Sequence, residues 1–588
     1  MNQQKLTLEQ TLYILIFILA LALRLINLGE APLTENEAHL ALQAFQLGGN
    51  EQLAFDESPG YILLTGLIFF LFGSSNFMAR ALPAITGSLV IWMPYSLRRI
   101  FGQKASLILA FTLALDPALV GLSRQANGTM MAITLSLFAI MFWYHRKFTV
   151  SLICGCLAFL AGTSFIHGAI SLLLAWGIWN LMVRYKIFIP SKEKVFQTVD
   201  ARFDRAMILN GIVILIALST WFFYIPQGLG AAARVVPNYL SGWLQRATLP
   251  PSWLIFALVF YQPLALVLGF IATIKCWIRK NNFMGFLSLW SFTALLLTLI
   301  FPAKQVGYLS WVVIPLWGLA ASELSHYMDM PGRDKFAAIG QATLLFILFA
   351  LSWINLSSMA SIPQSTQADQ LRLGILAGSL AMGAITTILV ALGWSPQIAK
   401  RGLVWGVSSA LLIYIFANTF GMVFPRWRDR MDLWNDYPFI EQSDLLLETL
   451  GDIAESQTGI HDTLDIIVLM NSPSMRWLLR EWHGVRFTSE VVASELPSVI
   501  IQPEQQEPLS LTAAYRGQDF GWRVYPGWQD GLPSDWVNWL TFRRAPKRIE
   551  KVILWARSDL FPDNPAAVNF ETLPLPSEDN SSSDKPVK

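Results

Sequence analysis

Charged residues are scarce in this sequence. Asp, Glu, Lys and Arg make up 14% of its 588 residues, and apolar residues make up 54%, whereas a soluble globular protein usually has about 25% charged residues. This deficit excludes a wholly soluble protein, and the high apolar content excludes a disordered one. The net charge is only +2 and no basic face or nucleic-acid motif occurs, so the sequence predicts no nucleic-acid partner.

Cysteine and the common catalytic motifs are also rare or absent. The three cysteines are too few for a disulfide framework, and Cys154, Cys156 and Cys276 all lie in apolar runs, where we expect them to be packing residues. The sequence has no Cys/His set with metal-ligand spacing, no Gly-rich phosphate loop and no nucleophile elbow. We therefore predict neither a metal site nor a bound cofactor.

Long apolar runs dominate what remains. A membrane-spanning helix needs about 20 apolar residues, and 13 runs are candidates: 10–28, 82–97, 105–122, 128–144, 149–166, 168–183, 206–225, 254–278, 284–301, 308–325, 336–354, 371–394 and 402–423. The runs 149–166 and 168–183 predict a hairpin that turns at His167-Gly168. The run 59–73 is short for a full crossing and predicts an interfacial helix. The sequence indicates a polytopic α-helical membrane protein.

The basic residues predict its orientation. With 59–73 outside the membrane and the N-terminus cytoplasmic, the inner loops before residue 424 hold 19 Lys and Arg. The outer segments hold seven, namely Arg24, Arg80, Arg124, Arg234, Arg246, Lys304 and Arg372. This bias is the one that the positive-inside rule requires. We therefore predict a multi-pass plasma-membrane protein whose first span is an uncleaved signal anchor and whose C-terminal region is extracytoplasmic.

The composition changes after residue 423. Residues 424–562 are mixed and amphipathic, with a helix-like stretch at 441–456 and strand-like apolar runs at 464–470, 498–501 and 552–555. They predict a small extracytoplasmic α/β domain that follows the transmembrane domain 1–423. The tail 563–588 is rich in Pro, Ser and Asp and is predicted to be disordered.

The first predicted external loop, residues 29–81, concentrates acidic side chains. It has no Lys or Arg between Arg24 and Arg80. Thr34 and Glu37 have the spacing of a capping box, which predicts a helix that begins near Glu35. A carboxylate in this loop, such as Glu35, Glu37, Asp56 or Glu57, could serve as a general base for an acceptor hydroxyl. On the residues alone, the interpretation that Glu37 only caps its helix carries equal weight.

Short motifs follow one another along residues 10–180 in a recognisable order. They are Leu23-Arg24-Leu25, Pro32-Leu33-Thr34-Glu35-Asn36-Glu37-Ala38, Ser58-Pro59-Gly60-Tyr61, Leu71-Phe72-Gly73-Ser74, Ala79-Arg80-Ala81-Leu82-Pro83, Leu115-Asp116-Pro117 and Ser123-Arg124-Gln125-Ala126. In order and spacing this set resembles the GT-C superfamily of membrane glycosyltransferases. The likeness is strongest to the protein mannosyltransferase and aminoarabinose-transferase branch, family 39. A weaker match lies around Lys304.

The resemblance implies a chemistry. It implies inverting transfer of a sugar from a polyprenyl-phosphate donor to a glycan, lipid or protein acceptor at the outer face of the bilayer. A lipid phosphate is then the leaving group and requires cations, for which the candidates at the outer ends of spans are Arg24, Arg80, Arg124 and Lys304. The alternative for each of them is an interfacial anchor whose charge reaches the water.

The sequence departs from the family at two points. The family's catalytic Asp falls on Asn36, which cannot act as a base, and its His before Pro is replaced by Ser58. The base is then Glu37, Glu35, Asp56 or Glu57, or the chemistry is lost. Around Trp522-Arg523 the chain looks similar to a flippase-associated archaeal and bacterial subgroup. Three function classes therefore stand beside one another. They are a glycosyltransferase, a non-catalytic GT-C-like accessory protein for translocation of lipid-linked sugars or glycan assembly, and a catalytically inactive GT-C-like scaffold that binds a glycan through its outer domain.

Overall fold

The computed structural model describes residues 7–48, 58–187, 205–247, 249–328, 335–361, 366–426, 431–435, 438–491, 495–504, 513–527 and 536–561. The chain forms two compact units that alternate along the sequence. Unit 1 comprises Met1–Glu441, Ser472–Leu478 and Arg523–Ile549. Unit 2 comprises Gln442–Asn471, Leu479–Trp522 and Glu550–Lys588. The predicted boundary between residues 423 and 424 stays a prediction.

Helices account for most of the described residues. In chain order they are α1 (Leu8–Leu25), α2 (Glu35–Phe45), α3 (Pro59–Phe72), α4 (Asn76–Leu89), α5 (Trp92–Phe101), α6 (Gln103–Leu115), α7 (Pro117–Ser123), α8 (Thr129–Tyr144), α9 (Phe148–Leu160), α10 (Thr163–Arg184), α11 (Arg205–Ser219), α12 (Gln227–Ser241), α13 (Pro251–Tyr261), α14 (Pro263–Arg279), α15 (Asn282–Ile300), α16 (Ser310–Ser325), α17 (Lys335–Ser361), α18 (Thr366–Gly393), α19 (Pro396–Val423), α20 (Ser443–Thr458), α21 (Pro473–Leu478) and α22 (Trp536–Phe542). Of these, α20 belongs to unit 2 and the others belong to unit 1.

The predicted number of 13 spans is not confirmed. Among the described residues, seven helical segments are long and apolar enough to cross a membrane, and one of them comprises α4 and α5 together. The number is nine if each of two bent pairs of helices counts as one further span. Four further apolar helices are shorter, and α3 is among them with 14 residues. A multi-pass helical membrane protein is thus confirmed, whereas the number of crossings and their orientation stay predictions.

Two predicted spans are broken by proline. The run 254–278 was expected to be a single span, but α13 and α14 meet at Gln262-Pro263 at an angle of 92°. Likewise α6 and α7 meet at Asp116-Pro117 with a 52° bend. Proline has no N–H to donate and its ring clashes with the preceding turn, so a helix that reaches it ends and a new one begins.

The predicted turn at His167-Gly168 is wrong. The break between α9 and α10 lies at Ala161-Gly162, where Gly162 has φ 109°, a conformation that residues with a side chain rarely adopt. His167 instead lies inside α10, fully buried. Its ring nitrogens are 3.0 Å from Thr298 Oγ1 and 3.2 Å from the Tyr239 hydroxyl. The apolar run continues across the glycine, so hydropathy alone does not locate the turn.

The core of unit 1 is centred on aromatic side chains of α16. Trp311 and Trp317 are 1% exposed and belong to one large buried cluster. Gly168 of α10 provides the space for Trp311, because a Cβ at this glycine would lie 2.2 Å from the indole ring. The close approach of α10 and α16 therefore depends on a residue without a side chain.

Unit 2 contains the predicted C-terminal sheet. Its strands are β2 (Thr463–Val468), β3 (His483–Phe487), β4 (Val499–Pro503), and the parts of β5 (Tyr515–Pro526) and β6 (Lys547–Arg557) that belong to this unit, in the order β5-β6-β4-β2-β3. β2 runs parallel to β3 and β4, whereas β6 is antiparallel to β4. The predicted strand-like runs all fall in this sheet. In unit 1 the short β1 (Phe439–Ile440) pairs with the C-terminal end of β5. The tail 563–588 lies outside the described residues.

Cysteine labelling tests the predicted orientation. Gln103, at the start of α6, and Glu455, in α20, are both exposed. In intact cells, an impermeant thiol reagent should label a cysteine placed at Glu455 and leave one placed at Gln103 unlabelled until the cells are opened. The unsubstituted protein, with its three cysteines, gives the background. The opposite pattern would reverse the orientation.

Substitution of two glycines in α10 tests the packing of the core. Gly168→Ala should lower the free energy of unfolding by about 1–3 kcal/mol, because the new methyl group displaces Trp311. Gly177→Ala is the matched control, since nothing lies within 4 Å of its Cβ position, and it should be neutral or slightly stabilising. Equal melting curves for the two variants would contradict this packing.

Candidate active site

The predicted capping box starts α2. Thr34 lies in extended conformation before the helix, and its hydroxyl accepts the Glu37 N–H at 3.4 Å. The Glu37 carboxylate in return accepts the Thr34 N–H through Oε2 at 3.0 Å. Because the capping box occupies only one side of the Glu37 carboxylate, its other lone pairs remain for partners elsewhere in the fold.

Arg80 of α4 binds Glu37 through both of its carboxylate oxygens. Arg80 Nε donates to Glu37 Oε1 at 2.8 Å and an Nη2 proton donates to Oε2 at 2.7 Å. The remaining three donor protons reach the carbonyl oxygens of Leu28, Ala31 and Pro32 at 2.7–3.1 Å. All five N–H groups of this guanidinium are therefore bound within the protein, where the side chain is fully buried.

Both carboxylate oxygens of Glu37 likewise accept hydrogen bonds from within the protein. Besides Arg80 and Thr34, the backbone N–H of Ala126 donates to Glu37 Oε1 at 2.9 Å. The carboxylate thus accepts four hydrogen bonds and is 2% exposed. It joins α2, α4 and the segment that follows α7. The contacts of Glu37 therefore stabilise the fold.

Arg24 and Arg124 hold the adjacent end of α1. Arg24 is fully buried and donates to Ser123 Oγ and to the carbonyl oxygens of Ala20, Leu113 and Ala114. Arg124 donates to the carbonyl oxygens of Leu23, Arg24, Ile26 and Asn27 at 2.7–3.2 Å. The carbonyl groups that Arg124 binds lie at the C-terminal end of α1 and just after it, where carbonyl groups have no partner within the helix. We call Arg24, Arg80, Arg124 and Glu37 the arginine clamp.

Glu35 lies beside the clamp but has different partners. Its Oε1 accepts from Arg523 Nε at 2.7 Å and from the Ser472 hydroxyl at 2.8 Å, and its Oε2 accepts the Ser474 N–H at 3.0 Å. The Glu35 side chain is 15% exposed, whereas Glu37 is 2% exposed. Glu35 therefore caps α21 and keeps partial contact with solvent. No local sequence pattern predicts this contact, because the partners of Glu35 lie more than 430 positions away.

The other predicted site residues lie as follows. Asn36 is exposed at the start of α2. Lys304 is 4% exposed and its ammonium donates to the Leu299 carbonyl oxygen at 3.1 Å, near the end of α15. Asp56 and Glu57 lie outside the described residues, so their predicted role stays a prediction. Among the described residues, no group of three or more His, Cys, Asp or Glu side chains is placed to hold a metal ion.

A polar cleft borders the clamp. It has a cavity volume of about 40 Å³, and the residues that line it include Asn27, Arg124, Gln125, Arg426, Asp432 and Asn435. Asp432 accepts a hydrogen bond from the Tyr261 hydroxyl at 2.7 Å and lies 3.5 Å from both Arg426 Nη1 and Arg543 Nε. One buried carboxylate thus faces two arginines. The charged side chains that line the cleft are Arg124, Arg426 and Asp432, a net charge of +1, so the cleft favours an anion.

Sequence reasoning missed Arg426, Asp432 and Arg543. They follow the last predicted span, in a region that was assigned to the α/β domain. Arg543 is held between aromatic rings, with its guanidinium carbon 4.3 Å from the Trp539 ring centroid and 4.4 Å from that of Tyr261. The only sequence signal was the presence of charged residues directly after an apolar run, a common feature of interfacial segments.

Comparison with known proteins agrees with the architecture. No protein-family model and no curated protein sequence matches the chain. Among solved structures it is similar to apo ArnT from Cupriavidus metallidurans, at 14% identity and a TM-score of 0.50, over 81% of this chain and 86% of that one. The same protein bound to undecaprenyl phosphate matches at 14% identity with a TM-score of 0.48, over 82% and 85%. The chain has an ArnT-like fold. This likeness agrees with the predicted polytopic helical membrane fold and extends to the fold alone.

Removal of the Arg80 charge tests the clamp. Arg80→Gln leaves the Glu37 carboxylate buried without its cation, which typically costs about 3–5 kcal/mol. We expect a large loss of thermal stability in detergent. Arg99→Gln, at an exposed position in the last turn of α5, is the control and should change stability by less than about 0.5 kcal/mol. Similar melting of both variants would show that the clamp does not stabilise the fold.

Proposed function

We propose that this protein transfers a sugar from a polyprenyl-phosphate donor to an acceptor at the outer membrane surface. The observation that carries the proposal is the ArnT-like fold, which extends over 81% of the chain. ArnT has been solved bound to undecaprenyl phosphate, and it belongs to the aminoarabinose-transferase branch that the sequence motifs resemble. The identity of the sugar and of the acceptor is left open in this proposal.

The polar cleft is the proposed site for the lipid phosphate. Arg124 and Arg426 line it, and their charges exceed that of Asp432 within the cleft. Guanidinium groups bind phosphate through paired hydrogen bonds, which supports this placement. Arg24 and Arg80, which are fully buried and do not line the cleft, are proposed to shape the site without contacting the donor. Lys304 stays a candidate for the same phosphate.

The proposed reaction needs one proton acceptor. The bond between the anomeric carbon and the phosphate oxygen breaks, the bond from the acceptor oxygen to that carbon forms, and the hydroxyl proton passes to a carboxylate. The polyprenyl phosphate leaves as an anion stabilised by arginine, so no strong general acid is required. The carboxylate must lie within hydrogen-bond reach of the acceptor.

Among the candidate bases, Glu35 fits this requirement better than Glu37. Glu37 accepts four hydrogen bonds and is buried, so using it would dismantle the clamp. Glu35 accepts three, and its side chain is partly accessible. We therefore propose Glu35 as the base and Glu37 as a positioning residue, with Asp56 and Glu57 as the remaining candidates.

A specific observation favours a second function. Asn36 occupies the position that the family resemblance assigns to the catalytic Asp, and it lies exposed at the start of α2. Both neighbouring acids, Glu35 and Glu37, are paired with arginines. A protein that binds a lipid-linked sugar without transferring it, as an accessory to translocation or glycan assembly, has the same fold and needs no base.

Donor binding is tested separately from transfer. Undecaprenyl phosphate should raise the melting temperature of the purified protein by binding to the native state. Arg426→Gln should weaken that binding about tenfold or more, since a charge-assisted hydrogen bond is lost. Arg234→Gln, at an exposed position of α12, is the matched control and should bind like the wild type. Equal binding by all three proteins would show that the phosphate does not bind in this cleft.

Transfer of labelled sugar from polyprenyl-phosphate donors distinguishes the two functions. If the protein is an enzyme with Glu35 as base, Glu35→Gln should abolish turnover but keep donor binding. Glu37→Gln should lower stability and turnover together. Asn36→Asp should raise turnover or leave it unchanged. Full activity of Glu35→Gln would refute the assigned base. Donor binding without transfer by any variant would establish the accessory function.

A further inference from the structure

A second charged cleft lies among the ends of α14, α15 and α16. It has a cavity volume of about 350 Å³, and its charged lining consists of Lys275, Arg279, Lys280 and Glu323, with His326 beside them. Asn281 and Asn282, at the start of α15, complete the polar part of its wall. No residue of the candidate active site lines this cleft.

The cleft and the candidate active site lie at opposite ends of the helices. α15 starts at the cleft with Asn282 and has 19 residues, which corresponds to about 28 Å of helix, close to the thickness of the hydrocarbon layer. Arg80 of the candidate site lies near the start of the 26-residue span Asn76–Phe101, which comprises α4 and α5. At the cleft end, Phe283 packs on Phe101, where α5 ends, with ring centroids 5.0 Å apart. The cleft therefore opens at the membrane surface opposite to the proposed donor site.

Its charges are not balanced. The ammonium of Lys275 donates to the buried Glu323 carboxylate, and the Tyr327 hydroxyl donates to the same oxygen at 2.9 Å, so this acid is already compensated. Arg279 and Lys280 are exposed, and within the described part of the chain neither is paired with a carboxylate. His326 is exposed as well, and one of its ring nitrogens lies 2.6 Å from the Ser322 carbonyl oxygen.

The placement of Arg279 and Lys280 has an alternative explanation in helix electrostatics. Arg279 is the last residue of α14 and Lys280 is its C-cap. A cation at a helix C-terminus is stabilised by the backbone dipole. That explanation accounts for a positive charge but not for a cleft. A concave site with a net charge of +2, at the end of membrane helices, has the sign that an anionic headgroup requires.

We propose that this cleft binds the phosphate headgroup of an anionic phospholipid. Arg279 and Lys280 bind the phosphate, and the Lys275–Glu323 pair forms the base of the site. The ligand chemistry is a phosphate anion, which a lipid or free inorganic phosphate could supply, and the lipid is favoured because the cleft lies at the end of membrane helices. The proposal is independent of the proposed glycosyl transfer.

Lipid binding to the purified protein in detergent tests the proposal by native mass spectrometry. The probes are phosphatidylglycerol, phosphatidylcholine and inorganic phosphate. The protein should retain phosphatidylglycerol in preference to phosphatidylcholine. The double variant Arg279→Ala/Lys280→Ala should bind phosphatidylglycerol about thirty-fold more weakly, the effect of removing two cations near an anionic headgroup. These positions are exposed, so the variant should fold.

The matched control removes one cation from the last turn of α5 and one from the first turn of α6. Arg99→Ala/Lys104→Ala takes away the same charge at exposed positions near the same end of the helices and should bind phosphatidylglycerol like the wild type. An equal loss in both double variants would show non-specific attraction and overturn the site. Equal retention of the two lipids by the wild type would also overturn it. Binding of phosphate without phosphatidylglycerol would refute the lipid as its source.

Discussion

The buried pair of Arg80 and Glu37 is the interaction on which the candidate site depends. Desolvation of two charges is costly, and an ion pair in the interior is stable only when all its remaining donors and acceptors are bound. Here the guanidinium uses its five protons and the carboxylate accepts four hydrogen bonds. The partners include backbone groups between Leu28 and Thr34 and the N–H of Ala126. The ion pair thereby fixes the path of the chain from α1 into α2.

This arrangement divides the family-like residues into two roles. Arg24 and Arg80 are fully buried and direct their donors at protein groups, so they hold parts of the chain together. Arg124 has two roles, since it binds the end of α1 and also lines the polar cleft. Next to it, Arg426 supplies charge from a segment that carries no motif. A motif match alone therefore does not separate residues that hold a site from residues that contact a ligand.

Local signals in the sequence predicted local structure. The capping box of α2, the short helix α3 and the strand-like runs of β2, β4 and β6 depend on neighbouring residues and hydropathy, and they were found. The turn at Gly162 and the bend at Gln262-Pro263 were not, because apolar runs continue through both. The contact of Glu35 with Arg523 depends on the tertiary fold and has no local signal. The sequence thus indicated candidate acids and arginines, whose roles stay predictions, but it did not indicate their protein partners or the contribution of Arg426, Asp432 and Arg543 to the polar cleft.

A double-mutant cycle between Glu37 and Arg80 tests the central claim most directly. The free energies of unfolding of Glu37→Gln, Arg80→Gln, the double variant and the wild type would be measured in the same detergent. If the pair determines the structure of this region, the losses are strongly non-additive, and the double variant is more stable than the sum of the single losses predicts by about 2 kcal/mol or more. Additive losses within about 0.5 kcal/mol would contradict the account.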